Sequence, residues 1–431
     1  MDSGKKATHI GFIRKSGVFI FLMFVGNIFE LGFTGLTARL PGTGYETINA
    51  LFNILYIIVA PLTGIQFVVS KEVSSYHSLD EIGKARTFVR LTFRYILFFS
   101  LAVMVLGLIT SPIIGGFLRI ESILPVVLLM VILVLYSPFP VFYGAIQGMK
   151  KFFILGLVQF SWGFFRFLLA VLIILVLSMG LYGLMCGVIC AVIASSTFAW
   201  IPVRSLFRHQ GVSIDRHEIL KAYSLVFPII ATLFCVIVLK NTDIIFAKRF
   251  FDPESAKAYT CAARVGAGFF TLTGIIMVMF PHVSEERTQS RNPIVFLLKS
   301  FVVTIGLSII GMLIAWYAPE FVMRVITLNK YIPGAEPLIR VIGFAVLPVS
   351  LVYIMSNYLL AKHYSGFLPI LIGGMFLQIF LINLIHQSPL RMLTGIGIAN
   401  AVTCAVMLLY IIKEHRHYMK TSFVSEGQSL V

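Results

Sequence analysis

Arg166, Lys240 and Arg264 stand inside long apolar runs of this chain, where a bare charge is expensive. Arg or Lys at the centre of a lipid-embedded helix costs about 2.5–3.5 kcal/mol, so such a residue faces a wet cavity or a partner. Cations held in this way suit anionic ligands, because Arg presents a planar fork of donors to phosphate oxygens and Lys a compact charge. Two carboxylates, Glu30 and Asp243, share similar surroundings. They are the candidates for cation coupling, in which a membrane acid binds and releases H⁺ or Na⁺. Lys240 and Asp243, three apart on one helix, also fit a neutralised structural pair. Glu30 also fits a pairing with Arg39, and Arg264 also fits snorkelling toward an interface.

Neutral polar residues accompany these charges at helical spacing. Asn27, Glu30, Thr34 and Thr37 recur every three or four positions, as do Asn49, Asn53 and Tyr56 in the next segment. Gln159 and Trp162 precede Arg166 by seven and four residues, on its own helix face. Asn241 adjoins Lys240, Tyr259 lies just ahead of Arg264, and Ser350, Tyr353 and Asn357 repeat the pattern later, followed by Gln378 and Asn383. One polar stripe can be glue between helices, worth about 1 kcal/mol per hydrogen bond. Stripes on many helices, with three cations among them, predict a hydrated cavity.

The elements that must position these residues are apolar throughout. Mean hydropathy is +0.95 and 12% of residues are charged, values of a protein whose solvent is lipid. About 20 apolar residues span a bilayer core. At that length the chain yields segments at 16–38, 46–70, 87–112, 122–147, 152–178 and 180–202, then 221–247, 255–281, 293–317, 335–361, 366–386 and 389–412. Backbone polar groups in hydrocarbon must be satisfied within their own segment, so these are predicted helices. The fold class expected is an all-α polytopic membrane protein with twelve transmembrane helices. The basic first residues lead into an apolar run longer than a signal peptide's core, so 16–38 is expected to be a retained helix.

Basic residues orient the array, because loops rich in Lys and Arg stay in the cytoplasm. With the N-terminus inside, 22 Lys and Arg fall on inner loops and 9 on outer ones, which places both termini in the cytoplasm. The net charge of +16 is then a topology signal with an attraction to anionic membrane lipids, and no sign of nucleic acid. The five cysteines all fall within apolar segments at no metal-ligand spacing and read as small buried residues.

The polar interruption at 204–220 divides the helices six and six. The expected organisation is a six-helix bundle over 1–203, a cytoplasmic linker over 204–220, a second six-helix bundle over 221–413 and a disordered cytoplasmic tail over 414–431. The halves echo each other at an offset of about 210 residues: Phe67–Ser74 ends the second helix as Met279–Glu285 ends the eighth, and Pro112 follows the third as Pro319 follows the ninth. An even number of helices per half keeps both halves in one orientation, so the repeat is parallel, a known transporter arrangement. Pro61, Pro138, Pro228 and Pro348 are expected to bend their helices.

Other chemistries lack their residues. No phosphate-binding Gly-rich Lys loop, no Gly-x-Ser-x-Gly and no His-Glu-x-x-His occurs. A membrane transferase needs an acid or His beside a substantial outer loop, and the first outer loop, Arg39 to Tyr45, is short and holds no carboxylate. Rings of repeated polar residues, as in a channel filter, are not seen. His415 and His417 flank Arg416 as a solvated tail rather than a metal site. The expectation is a transporter with neither cofactor nor metal.

Four stretches carry a family likeness: Tyr143–Phe152 (Tyr-Gly-Ala-Ile-Gln-Gly-Met-Lys-Lys-Phe), Asn241–Phe251 (Asn-Thr-Asp-Ile-Ile-Phe-Ala-Lys-Arg-Phe-Phe), Ala258–Gly266 (Ala-Tyr-Thr-Cys-Ala-Ala-Arg-Val-Gly) and Met279–Glu285. With the twelve-helix layout over about residues 10–415, the chain resembles the multidrug/oligosaccharidyl-lipid/polysaccharide (MOP) exporter superfamily, and within it the polysaccharide (Wzx-type) flippases. The resemblance implies a MATE-like pair of pseudo-symmetric bundles. It implies flipping of an undecaprenyl-diphosphate-linked oligosaccharide across the cytoplasmic membrane, with polysaccharide polymerisation machinery as a further partner. Arg166, Lys240 and Arg264 would then form the cationic cavity for diphosphate and acidic sugars, lined by Asn27, Asn49, Asn53, Gln159, Asn241, Tyr259, Tyr353 and Asn357. The main rival is a cation-coupled multidrug or small-solute exporter of the same architecture, working through Glu30 and Asp243. A scaffold for polysaccharide assembly without transport is a third reading.

Overall fold

Hydrocarbon offers no partner to a bare N–H or C=O, so a chain this apolar satisfies its backbone within helices. A computed structural model describes the backbone of residues 2–208, 210–224, 227–286, 293–362 and 364–428. Side chains are described over the same range except 2–17, 20, 216, 221, 271–286, 293, 295, 296, 361 and 415–428. Among the described residues all regular structure is helical.

The first part of the chain forms α1 (Asp2–Thr37), α2 (Gly44–Ser78), α3 (Ile82–Ile109), α4 (Ser111–Phe117), α5 (Leu124–Tyr136), α6 (Phe139–Gly148), α7 (Phe152–Ala170) and α8 (Leu181–Trp200). A π-helical turn, Val171–Val176, follows α7 directly. Two short helices come next, α9 (Arg204–Arg208) and α10 (Arg216–Ser224). The rest forms α11 (Phe227–Phe250), α12 (Pro253–Glu286), α13 (Pro293–Tyr317), α14 (Pro319–Ile326), α15 (Glu336–Ala361), α16 (Leu368–Leu384) and α17 (Pro389–Gln428).

Each of the twelve apolar segments coincides with helical backbone. Among the described residues, nine helical stretches are long and apolar enough to cross a membrane. Two further apolar helices, Phe21–Thr37 and Leu368–Leu384, are shorter. The twelfth segment is α12, whose apolar second half lies in 271–286, where side chains fall outside the described residues. The Met279–Glu285 end of the repeat falls there too.

Prolines act as their geometry requires. Pro61 and Pro348 lie inside α2 and α15, Pro138 stands where α5 breaks from α6, and Pro228 sits in the first turn of α11. Pro112 and Pro319 each open a short helix, α4 and α14, after a long one. Asp252 precedes α12, and the backbone N–H of Ser255 donates to its Oδ2 at 3.0 Å, which holds the Asp252 carboxyl below the usual carboxylate range.

The chain divides into two compact units. The first comprises Met1–Leu233 with Arg324–Tyr331, and the second Phe234–Met323 with Ile332–Val431. The interruption at 204–220 therefore falls inside the first unit, because α3 holds it by its backbone. Arg90 Nε donates to the Leu206 carbonyl at 3.0 Å, Thr87 Oγ1 to the Val212 carbonyl at 2.6 Å, and Val212 N–H to the Gly83 carbonyl at 3.2 Å. Just beyond, the hydroxyls of Thr92 and Tyr223 lie 2.8 Å apart. At the other end, α17 continues to Gln428, through most of the stretch expected to be disordered. Extending a helix that is already nucleated is far cheaper than starting one.

Two cysteines depart from their expected burial. Cys235 and Cys261 are buried and Cys404 is half-buried, whereas Cys186 and Cys190 are exposed on α8. On a membrane helix an exposed face meets lipid, which accepts a thiol readily.

Candidate functional site

The first unit builds its site on a glycine seam between α1 and α7. Small residues let two membrane helices approach to backbone contact. A Cβ on Gly163 would run into the carbonyl oxygen of Gly26, and a Cβ on Gly26 would lie 3.2 Å from Gln159 O and Phe160 Cα. Phe29 fills the next turn, its ring 5.7, 5.5 and 5.5 Å from those of Phe160, Phe164 and Phe167. One turn beyond Gly26 comes Glu30, and three residues beyond Gly163 comes Arg166. The seam thus sets carboxylate against guanidinium.

Arg166 Nη1 donates to Glu30 Oε1. The arginine side chain is 3% exposed and that of Glu30 is 32% exposed. Aromatic faces enclose the guanidinium: its Cζ lies 4.0 Å from the Phe33 centroid, 5.1 Å from Trp162 and 5.2 Å from Phe52. Each such cation–π contact is worth about 1 kcal/mol and rises with desolvation. The neutral phenols of Tyr56 and Tyr136 lie beside the pair. The pairing uses one tooth of the fork. Arg166 Nε and Glu30 Oε2 are both buried without a hydrogen-bond partner.

This arrangement answers one alternative left open by the sequence. Glu30 pairs with Arg166 and not with Arg39, whose Nη2 donates to the Leu328 carbonyl at 2.9 Å. Arg166 has no acid on its own helix face; its partner is 136 residues away, on another helix. Phe33, Phe52 and Tyr136 were not singled out by sequence. Phe33 stands three residues after Glu30, as Trp162 stands four before Arg166, and that spacing is the signal that could have found it.

The other expected residues of the first unit are placed unevenly. Asn27 is exposed on α1 and Gln159 half-buried on α7. Asn49 is buried and its amide donates to the Tyr45 carbonyl at 2.7 Å, so its own helix satisfies it. Asn53 is 1% exposed, and neither its Nδ2 nor its Oδ1 has a partner. An orphaned buried amide costs about 1–3 kcal/mol per group.

The second unit gathers Lys240, Asp243, Tyr259, Arg264 and Tyr353. Lys240 Nζ lies 4.4 Å above the Phe270 ring, whose centroid is 5.4 Å from that of Tyr353. Asp243 is bonded elsewhere: Tyr259 O–H donates to its Oδ2 at 3.3 Å and the Ile244 N–H to its Oδ1 at 2.8 Å. The neutralised Lys240–Asp243 pair was one reading the sequence allowed; Asp243 takes its hydrogen bonds from Tyr259 and Ile244 instead of Lys240. Arg264 is half-buried on α12, one turn past the fully buried Tyr259. Asn241 and Asn357 donate to their own helices, at 2.7 Å to the Ile237 carbonyl and 2.8 Å to the Tyr353 carbonyl. Gln378 reaches across from α16 to the Leu239 carbonyl at 2.9 Å, one turn from Asp243.

Among the described residues no cluster of His, Cys, Asp and Glu has the form of a metal site. The arrangement offers one cluster of charged side chains in each unit, Glu30 with Arg166 in the first and Lys240, Asp243 and Arg264 in the second.

No protein-family model matches the chain, and no curated protein does. Solved structures match in fold. One, described as the inward-facing conformation of a multidrug resistance MATE family transporter of the MOP superfamily, has a TM-score of 0.70 at 16% identity, covering 94% of this chain and 99% of its own. A MOP superfamily transporter from Pyrococcus furiosus, described by a reverse polarity of its binding pocket that suggests a different function, has a TM-score of 0.56 at 15% identity, over 92% and 94% of the two chains. A Vibrio cholerae MATE transporter, solved as a mutant, has 0.60 at 14% identity, over 94% and 96%. All three are transporters, not enzymes. At such identities the likeness speaks of architecture, and the chain has the all-α, multi-span MATE-like fold of MOP superfamily transporters.

Proposed function

We propose that this protein is a flippase for a lipid-linked oligosaccharide of the undecaprenyl-diphosphate type, working by alternating access in the cytoplasmic membrane for surface polysaccharide biosynthesis. In this reading twelve helices cross the bilayer as two six-helix bundles with both termini in the cytoplasm. Membrane lipids and polysaccharide polymerisation machinery are the partners. The observation that carries the proposal is the sign of the embedded charge: Arg166, Lys240 and Arg264 against Glu30 and Asp243. Even with Arg166 closed on Glu30, the remaining three of these residues, Lys240, Arg264 and Asp243, are two cations to one acid. A diphosphate and its sugars cannot cross hydrocarbon bare, since each uncompensated charge or hydroxyl costs kilocalories. Arginine held among aromatics and lysine above a ring are suited to phosphate oxygens, and the prenyl tail can stay in lipid throughout. In the P. furiosus transporter of this fold the reverse polarity of the binding pocket suggests a different function, which supports reading the sign of the embedded charge here.

One observation favours the rival, a cation-coupled drug or solute exporter. Asp243 is held by a tyrosine and a backbone N–H rather than by Lys240, which leaves it able to take a proton or a sodium ion. Proteoliposomes decide between the two. Wild-type protein should move a fluorescent prenyl-diphosphate oligosaccharide between leaflets, with Arg166→Ala and Arg264→Ala slowing it at least tenfold while folding normally. Unchanged flipping in both variants would sink the proposal. Drug-dependent cation uptake lost in Glu30→Gln and Asp243→Asn would establish the rival.

A further inference from the structure

We infer that Glu30 is a built-in competitor for Arg166: its carboxylate holds the guanidinium until an anionic phosphate arrives, then yields the arginine and takes up a proton. This rests on the diphosphate reading above and adds a coupling rule to it. Three observations carry it. First, the pairing is incomplete. A guanidinium and a carboxylate can engage through two parallel bonds, yet Arg166 Nε and Glu30 Oε2 are left buried and unpartnered. The arginine therefore retains capacity for an oxygen acceptor that the acid does not fill.

Second, the two partners differ in freedom. Phe33, Trp162 and Phe52 surround the guanidinium within 5.2 Å, so Arg166 cannot swing away. Glu30 has 32% of its side chain exposed against 3% for Arg166. The acid is the member that can leave.

Third, among the described residues a displaced carboxylate has no second cation recorded beside it. Among the described residues, the titratable and charged groups recorded beside it are Arg166 from α7 and Tyr136 from α5, with Tyr56 from α2 beside Arg166. The adjoining π-helical turn, Val171–Val176, supplies only aliphatic side chains. An unpaired carboxylate among apolar groups neutralises itself rather than remain charged. The exchange balances: the Arg166–Glu30 ion pair, a phosphate oxyanion and one proton from the aqueous side give an Arg166–phosphate ion pair and a neutral Glu30. No covalent bond changes other than the new O–H.

The test uses the full chain in lipid nanodiscs with farnesyl diphosphate as the probe, titrated calorimetrically in buffers of different ionisation enthalpy. Wild-type protein should take up about one proton per probe more than Glu30→Gln at the same pH. Its affinity should fall about tenfold per pH unit relative to that variant, as linkage to one proton requires. Glu30→Gln should bind the probe at least tenfold more tightly at pH 8, and Arg166→Gln should lose binding in either background. Equal proton uptake in wild type and Glu30→Gln, or weaker binding by Glu30→Gln, would overturn the competition and leave the diphosphate site standing. Undiminished binding by Arg166→Gln would overturn this inference and leave the diphosphate reading to Lys240 and Arg264, whereas failure of folded wild-type protein to bind the probe at all would remove that reading and this inference with it.

Discussion

Arg166 shows how little a buried charge can be judged from its sequence neighbours. Its own helix supplies Trp162 and Gln159, and nothing in the local pattern supplies an acid. The carboxylate that meets it is on α1, and the aromatic shell draws on α1, α2 and α7. Removing one partner of such a pair leaves a cation in an apolar shell, which costs more than removing both. Glu30→Ala is therefore expected to destabilise the protein by about 3 kcal/mol, the low end for buried pairs because Glu30 is partly exposed. The double substitution Glu30→Ala with Arg166→Met should recover most of that loss. Thermal denaturation in detergent measures both, and equal melting of the two variants would show that the pair carries no such asymmetry.

Helix-scale features were read more successfully, since they depend on local composition. Each of the twelve apolar runs coincides with helical backbone, because lipid leaves the backbone no other way to satisfy its hydrogen bonds. Pro138 was expected to bend a helix and instead separates α5 from α6, while Pro61 and Pro348 stay inside theirs. A proline removes one bond and crowds one carbonyl; whether the helix bends or breaks depends on what packs beside it. Packing also gives meaning to glycines that look interchangeable in the sequence. Gly163 faces the backbone of Gly26, which cannot move aside as a side chain can. Gly163→Val is expected to part α1 from α7, lowering the melting temperature and impairing transport together. Gly116→Val, where a Cβ would meet nothing within 4 Å, should do neither. Both are read by melting temperature and by flipping rate in proteoliposomes. A Gly163→Val protein as stable and active as Gly116→Val would mean that the seam does not position the ion pair.

At the scale of the whole molecule, basic-residue bias makes the clearest prediction. Single cysteines placed in a cysteine-free background at Val212 and at Gly42 should differ in access. A membrane-impermeant maleimide should label Gly42→Cys in intact cells and Val212→Cys only after permeabilisation. The reverse pattern would invert the topology and place the basic loops outside.

Composition was enough to establish a lipid-solvated chain, helical throughout its described regular structure, and where its apolar helical stretches lie, because hydropathy and backbone satisfaction act over one turn or one span. It did not set their ends, since α1 and α17 run well past their apolar segments and one expected helix is split into α5 and α6. It also singled out the few charges that lipid would not tolerate. Which of those charges meet was decided by tertiary structure, since Glu30 and Arg166 are joined through a glycine seam and no local rule connects positions so far apart. The same holds for the 204–220 interruption, polar enough to read as a free linker yet fastened to α3 through carbonyls that every residue possesses and no sequence pattern displays.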